Sequence, residues 1–330
     1  MHNIVAKQCP PNKREEASAC LRQAHDFYLV GTEKGVEAAR PLALYYCYMN
    51  LLKVYCLTWG ANASFNNAQH GITEIFNANY EDIILRGFPS PNGQGKLQNF
   101  SELLLVLQGA GLPHNTDLRL GDVFPQILPG HRLWCDAANR TERFVALEDI
   151  QFWRNRDTRE VWLRLYLFSD DLSRLGVTHT EFLNESGFHA DFHEVACDRE
   201  QTERKVICFE QVATVTYPDR HPADLLETLV SGVRHHLWAT VTSIPPYRRY
   251  YAYLCPAGEL ASRLPQLLSI YAITYHLGSV TRYRPQDYDN MLVGKFGSRI
   301  QDFVTGQPAQ FLYLLSSEIA RQEITQPSII

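Results

Sequence analysis

A chain of 330 residues, 45% hydrophobic and 20% charged, can bury a full core without metal or disulfide staples and is too apolar to be disordered. Its 31 basic and 36 acidic residues leave a net charge of −5, which excludes a whole-molecule attraction to nucleic acid or to an anionic membrane. Any seat for an anion has to be a local patch.

In chain order, MHNIVAKQCPPNKREE lacks the apolar stretch of a secretion signal, and the eight cysteines form no C-x-x-C pair. A cytoplasmic protein with reduced thiols is expected. NKREEASACLRQAHDFYLV is rich in helix formers and predicts a first helix closing near Gly31 or Gly35. A second helix starts at Arg40–Pro41, where proline suits a first turn, and Tyr45, Met49, Leu52, Cys56 and Trp59 give it a broad apolar face. The stretch from Pro41 to Ala61 approaches bilayer length. Asn50 and Lys53 lie near its middle, however, and a central lysine costs about 3 kcal/mol to insert, so it reads as a buried helix of a soluble core. GANASFNNAQHG follows as turns and ILRGFPSPNGQG as an extended piece with a loop, before Ser101 caps the helix ELLLVLQG.

The middle changes period. RFVALEDIQFWRNRDTREVWLRLYLFSDD predicts two strands joined through Asn155–Thr158; in the second, Val161, Leu163, Leu165 and Leu167 alternate with Trp162, Arg164, Tyr166 and Phe168. KVICFEQVATVTY adds a further strand. Helical periodicity returns in ADLLETLVSGVRHHLWATV, in GELASRLPQLLSIYAITYHLGSVTRY, and in the closing SRIQDFV and AQFLYLLSSEIARQEI. Helix–sheet–helix order without βα alternation predicts an α+β fold, mainly helical: a helical core with a small antiparallel β-sheet insertion. The expected divisions are an N-terminal helical region over 1–139, a β-rich insertion over 140–217, and a C-terminal helical region over 218–330 that packs on the N-terminal helices.

No dinucleotide-binding glycine fingerprint, Walker A loop, G-x-S-x-G elbow or H-E-x-x-H pair occurs in the sequence. Four weaker features remain. His189, His193 and Cys197 have a spacing that would suit zinc on one helix face, but no fourth ligand pairs with them and Gly187 interrupts a helix. They read as a polar loop or strand edge, and no metal site is assigned. Arg174 and His179 have an Arg-x4-His spacing, in which a guanidinium can hold a phosphate while an imidazole moves protons. Thr178 with Glu181 predicts a capping box that sets His179 at a helix start. YRRYYAY, Tyr247 to Tyr253, interleaves arginine and aromatics as single-strand nucleic-acid platforms do. Beside Ile244-Pro-Pro and without a wider basic field, it reads as packed tyrosines with solvated arginines.

The fourth feature is polar groups inside the two most apolar helices. Tyr46, Asn50, Lys53 and Leu57 share one stripe of the first; Tyr275, Ser279 and Arg282 share a face of the second; His70 follows the first. Buried charge is costly unless paired or open to water, so these groups predict either a packing network or an anion pocket at a helix interface.

The blocks bearing this feature resemble a known family. The helix Ala39 to Lys53, the pair His70-Gly71, and TYHLGSVTRYRP from Thr274 to Pro285 with its Arg282-Tyr283 are similar in order and spacing to bacterial YaaC-like proteins over most of the chain. The resemblance implies a bacterial cytoplasmic protein and brings no established activity with it. The N-terminal helical pair also resembles HEPN-type domains, which are common in toxin and phage-defence proteins. The leading expectation is a binding or interaction module of a defence or stress system, with no cofactor and no membrane. It would act through another protein, a second copy of itself, or an anion or nucleotide held by Asn50, Lys53, His70, Arg282 and Tyr283. The rival is a HEPN-like, metal-independent ribonuclease acting on RNA through Arg174 and His179, with a zinc enzyme third.

Overall fold

The computed structural model of the protein describes residues 1–199, 204–216, 223–241 and 249–324. A short helix, α1 (His2–Gln8), precedes the first predicted one, α2 (Arg14–Thr32). The second, α3, spans Arg40–Trp59 with Pro41 in its first turn. Buried Lys13 donates from Nζ to the Gly60 carbonyl at 2.8 Å, just past the end of α3. Strands β1 (Ile72–Ile75) and β2 (Ile84–Gly87) follow, then α4 (Asn99–Gln108), β3 (Thr116–Arg119), α5 (Leu120–Val123) and α6 (His131–Ala138). The three strands form an antiparallel sheet in the order β1-β2-β3. Ser101 does not cap α4. The helix starts earlier because the amides of Asn99 and Phe100 are taken by the carbonyls of Gln69 and His70, and Ser101 Oγ instead accepts the Leu112 amide at 2.9 Å.

The β-rich part contains β4 (Phe144–Ala146), β5 (Asp149–Arg154), β6 (Glu160–Phe168), α7 (Ser169–Leu175), α8 (His179–Ser186), β7 (Phe192–Val195), β8 (Val206–Gln211), β9 (Val215–Thr216), α9 (Ala223–Val233), β10 (Leu237–Ala239) and β11 (Tyr250–Tyr253). β5 and β6 meet through the predicted turn, with Gln151 opposite Arg164. Val161, Leu163, Leu165 and Leu167 are all buried on β6, as their alternation predicts. One antiparallel sheet runs β5-β6-β8-β7 with β9 on β6, and a second runs β10-β11-β4. Leu163, Leu165, Phe182, Phe188, Phe209 and Ala252 share one core.

Two expectations change here. The helical periodicity expected through Leu237-Trp238-Ala239 gives way to strand, since α9 ends at Val233 and Trp238 pairs with Tyr251. The compact β unit is Thr141–Leu260, past the division expected at 217, because β11 returns to pair with β4 (Tyr253 opposite Phe144). Ile244-Pro-Pro, Tyr247 and Arg248 lie outside the described residues. From Tyr250 to Tyr253 that aromatic segment is strand, with Tyr251 and Tyr253 buried.

The other unit combines Met1–Arg140 with Ala261–Gln326. Its second portion supplies α10 (Gln266–Tyr283), α11 (Pro285–Val293) and α12 (Gly297–Ala320). The two closing helical patterns are one continuous helix, α12, that runs through a buried Pro308. The core gathers Leu51, Leu52 and Leu57 of α3, Leu268, Tyr271 and Ile273 of α10, and Phe303, Phe311 and Leu315 of α12. Tyr48 stacks on Phe311 with ring centroids 3.9 Å apart. Among the described residues, no helix is long and apolar enough to cross a membrane, and all eight cysteines are free.

Two glycines set how closely these helices pack. A Cβ on Gly278 of α10 would lie 2.9 Å from the Tyr45 Cβ and 3.3 Å from the Pro41 carbonyl, so α10 sits directly on the backbone of α3. Gly130, at φ +90°, leaves room for Arg299, whose guanidinium a side chain there would overlap. Fully buried, Arg299 donates to the carbonyls of Ile127 at 3.1 Å and Pro129 at 3.2 Å and pairs with Asp302 at 2.9 Å. Burial pulls its pKa down to about 10, which leaves it charged at neutral pH. Alanine inside a helix normally gains about 1 kcal/mol over glycine. At Gly278 overpacking of about 1–3 kcal/mol outweighs that gain, so Gly278→Ala lowers the denaturant midpoint rather than raising it.

Candidate functional site

Tyr45, Tyr46, Asn50 and Lys53 come from α3, and Tyr271, Tyr275, Arg282 and Tyr283 from α10. His70 arrives on the loop between α3 and β1. Its position is fixed by the backbone: the His70 carbonyl accepts the Phe100 amide, and Gly71, at φ +77°, has its α-carbon so close to Gln98 and Phe100 that a Cβ would sit 2.8 Å from the Phe100 nitrogen. The glycine thus lets the loop close on α4 and so sets where His70 stands.

Tyr45 is the hub. Its ring lies 5.5 Å from His70, 5.4 Å edge-on to Tyr275 and 5.8 Å from Tyr271, centroid to centroid. Burial, reinforced by the neighbouring tyrosines, holds its phenol far above the ordinary pKa, so it stays protonated. It forms a close hydrogen bond with His70 Nδ1; as the protonated partner it donates, which leaves the imidazole proton on Nε2. His70 is exposed on its other side. Loss of solvation against the tyrosines, then the charges of Arg282 and Lys53, lower its pKa below the ordinary histidine value.

Arg282 Nη1 donates to the Tyr46 hydroxyl at 3.0 Å, and its guanidinium lies 4.9 Å from the ring of exposed Tyr283. Among the described residues neither Arg282 nor half-buried Lys53 has a carboxylate partner, and Lys53 makes no hydrogen bond. After the loss of solvation, both cations weigh on the His70 pKa, and the hydrogen bond from Arg282 to Tyr46 ties Arg282 to the stripe of α3 that also carries Lys53. Asn50 is different: it is buried, and its Nδ2 is spent on the Tyr46 carbonyl at 3.0 Å, one turn back in its own helix. A cleft of about 740 Å³ opens at His70, lined also by Gln69, Asn92, Gln98 and Asn115; Lys53 and Arg282 do not line it.

A second polar cluster, not anticipated from the sequence, adjoins the first along α10. Glu74 of β1, with a side chain only 8% exposed, accepts from His276 Nδ1 at 2.7 Å and closely from Arg284 Nη2. Burial would raise the Glu74 carboxyl, but the hydrogen bonds and charges of His276 and Arg284 prevail and hold it below the ordinary range. A histidine and an arginine flanking the apolar run of α10, with a lone glutamate in the short ITEI strand, were the available signals.

Arg174 and His179 engage different carboxylates. Arg174 ends α7, 59% exposed, 3.5 Å from Glu142, while His179 opens α8 and bonds Glu194 at 2.9 Å. The Thr178–Glu181 capping box between them is present, after a left-handed turn at Gly176. His189 lies in a turn, His193 on edge strand β7 and Cys197 beyond it, so the three share no helix face. No group of metal-ligating side chains converges among the described residues.

Glu74 gives a pH prediction. A carboxyl whose pKa is depressed by folding contributes stability above its unfolded value and loses it as the pH falls through the folded one. Unfolding free energy should therefore drop on acidification below about pH 4.5 more steeply in the parent than in Glu74→Gln. At neutral pH Glu74→Ala should cost about 3 kcal/mol by leaving buried His276 without its acceptor and Arg284 with only the longer contact to Asp287. Denaturant titrations at several pH values check both.

The family model for YaaC-like proteins matches residues 5–319. No curated protein and no solved structure matches the chain. With the match running through both units, and through the helix, His-Gly pair and Arg-Tyr pair that build the site, the chain belongs to the YaaC-like protein family.

Proposed function

We propose that the α3–α10 face is a seat for an anionic, phosphate-bearing ligand and that the protein works as a binding module. The observation behind this reading is the charge balance: Arg282 and Lys53 both act on His70, and neither is neutralised by a carboxylate among the described residues. Packing networks usually pair such charges, as Arg143 pairs with Glu259 at 2.5 Å and Arg164 with Glu210 at 2.6 Å in the β unit. An uncompensated pair of cations beside a neutral imidazole is instead poised for an anion, which would meet one planar guanidinium, one ammonium and the His70 N–H. Tyr46 and Tyr45 orient the first and last of these. Asn50 supports α3 without touching the ligand.

Calorimetric titration with inorganic pyrophosphate tests the reading. The parent binds it, and Lys53→Ala and Arg282→Ala each weaken binding by about tenfold while leaving the fold intact. His70 also sets a direction with pH. Its pKa is low in the free protein and rises when an anion is bound, so affinity increases as the pH falls below about 6.5 toward the depressed value. The His70 ring resonances, followed by NMR with and without pyrophosphate, read that shift directly. Unchanged affinity in both cation variants would sink the assignment.

A further inference from the structure

Beside the cations lies a cleft of about 600 Å³, lined by Thr73, Glu74, Phe76, Tyr275, Ser279, Tyr283, Arg284 and Asp287. Two of its walls are aromatic rings left open to water: Phe76 is 61% exposed and Tyr283 68% exposed. Isolated exposed rings are ordinary on a protein surface. Here both line one cleft, and each has a guanidinium beside its ring, Arg284 at 4.7 Å from Phe76 and Arg282 at 4.9 Å from Tyr283. Such aromatic–arginine surfaces accept a flat, π-faced group by stacking.

The charge of the cleft says which end of a ligand it suits. Glu74 stays ionised and is fully engaged with His276 and Arg284, while Asp287, 46% exposed, is only 3.7 Å from Arg284. Two carboxylates disfavour a phosphate inside the cleft. The hydroxyls of Thr73 and Ser279 and the free lone pairs of Asp287 instead suit a neutral group with N–H or O–H donors. Tyr275 forms part of the cleft wall and lies 6.1 Å from the His70 ring, and Tyr283 directly follows Arg282, so the cleft and the proposed cationic seat are neighbours along one helix.

We propose that the ligand is a nucleoside phosphate, its base and sugar in the Phe76–Tyr283 cleft and its phosphates on Lys53, His70 and Arg282. This rests on the anion seat described above and adds the recognition of the base.

Comparing adenosine triphosphate with inorganic tripolyphosphate on the full chain separates the two claims. The parent should bind the nucleotide about tenfold or more tighter than tripolyphosphate, the difference expected of one stacked base. Phe76→Ser combined with Tyr283→Ser changes only exposed rings; it should bring nucleotide affinity down to that of tripolyphosphate and leave tripolyphosphate binding as it was. Arg282→Ala should weaken both. Equal affinities for the two ligands in the parent, or a nucleotide preference surviving in the double variant, overturns the nucleoside inference while the anion seat stands. If neither ligand binds the parent, both claims fall.

Discussion

The approach of α10 onto α3 depends on the missing side chain at Gly278, which lets the two backbones close over Tyr45. From that contact the rest of the helical unit follows. Tyr45 is pressed among Tyr271, Tyr275 and His70, and its buried phenol becomes a fixed donor. The far end of α10 is carried past Tyr46, where Arg282 finds its hydrogen bond, and past β1, where His276 and Arg284 close on Glu74. Dispersion and apolar burial hold the crossing, while the polar contacts set its register.

Charge is handled in two ways along this one helix. At Glu74 and Arg284 opposite charges meet under cover, and the carboxylate is ionised because its partners outweigh the cost of burial. At Lys53 and Arg282 the charges are left with neutral partners or none, and they add to the burial that already depresses the His70 imidazole. The first arrangement is self-sufficient and stiffens the fold. The second is electrostatically incomplete, and that incompleteness is what the proposed anion seat rests on.

Helices with one-sided apolar periodicity were legible in the sequence: α2 and α3 lie where composition and Pro41 put them, α10 takes the later part of its expected stretch from Gln266 on, and β6 alternates as written. Legibility failed where tertiary contacts replaced local signals. Ser101 looks like a cap, but the carbonyls of Gln69 and His70 perform that task from a distant loop. Leu237 to Ala239 has helical neighbours and becomes strand because β11 is there to pair with it. Of the candidate site, the cations on α3 and α10 stood out as charges in apolar runs. Asn50 belonged to the same stripe, yet its amide is satisfied one turn back. Glu74 and His276 are 202 residues apart, and no local pattern could reveal that they meet.

The helical unit is assembled from two separated stretches of chain, with the β unit contiguous between them. During synthesis α3 emerges long before α10, its partner at a separation of 236 residues in the Arg282–Tyr46 pair. α3 can pack on α2 as both emerge, but its side facing α10, around Tyr45, waits for its partner, while the intervening β unit can complete its own strand pairing first. Contacts so distant in sequence form late and slowly. The α10-facing side of α3 therefore stays open from translation of Trp59 until translation of Tyr283.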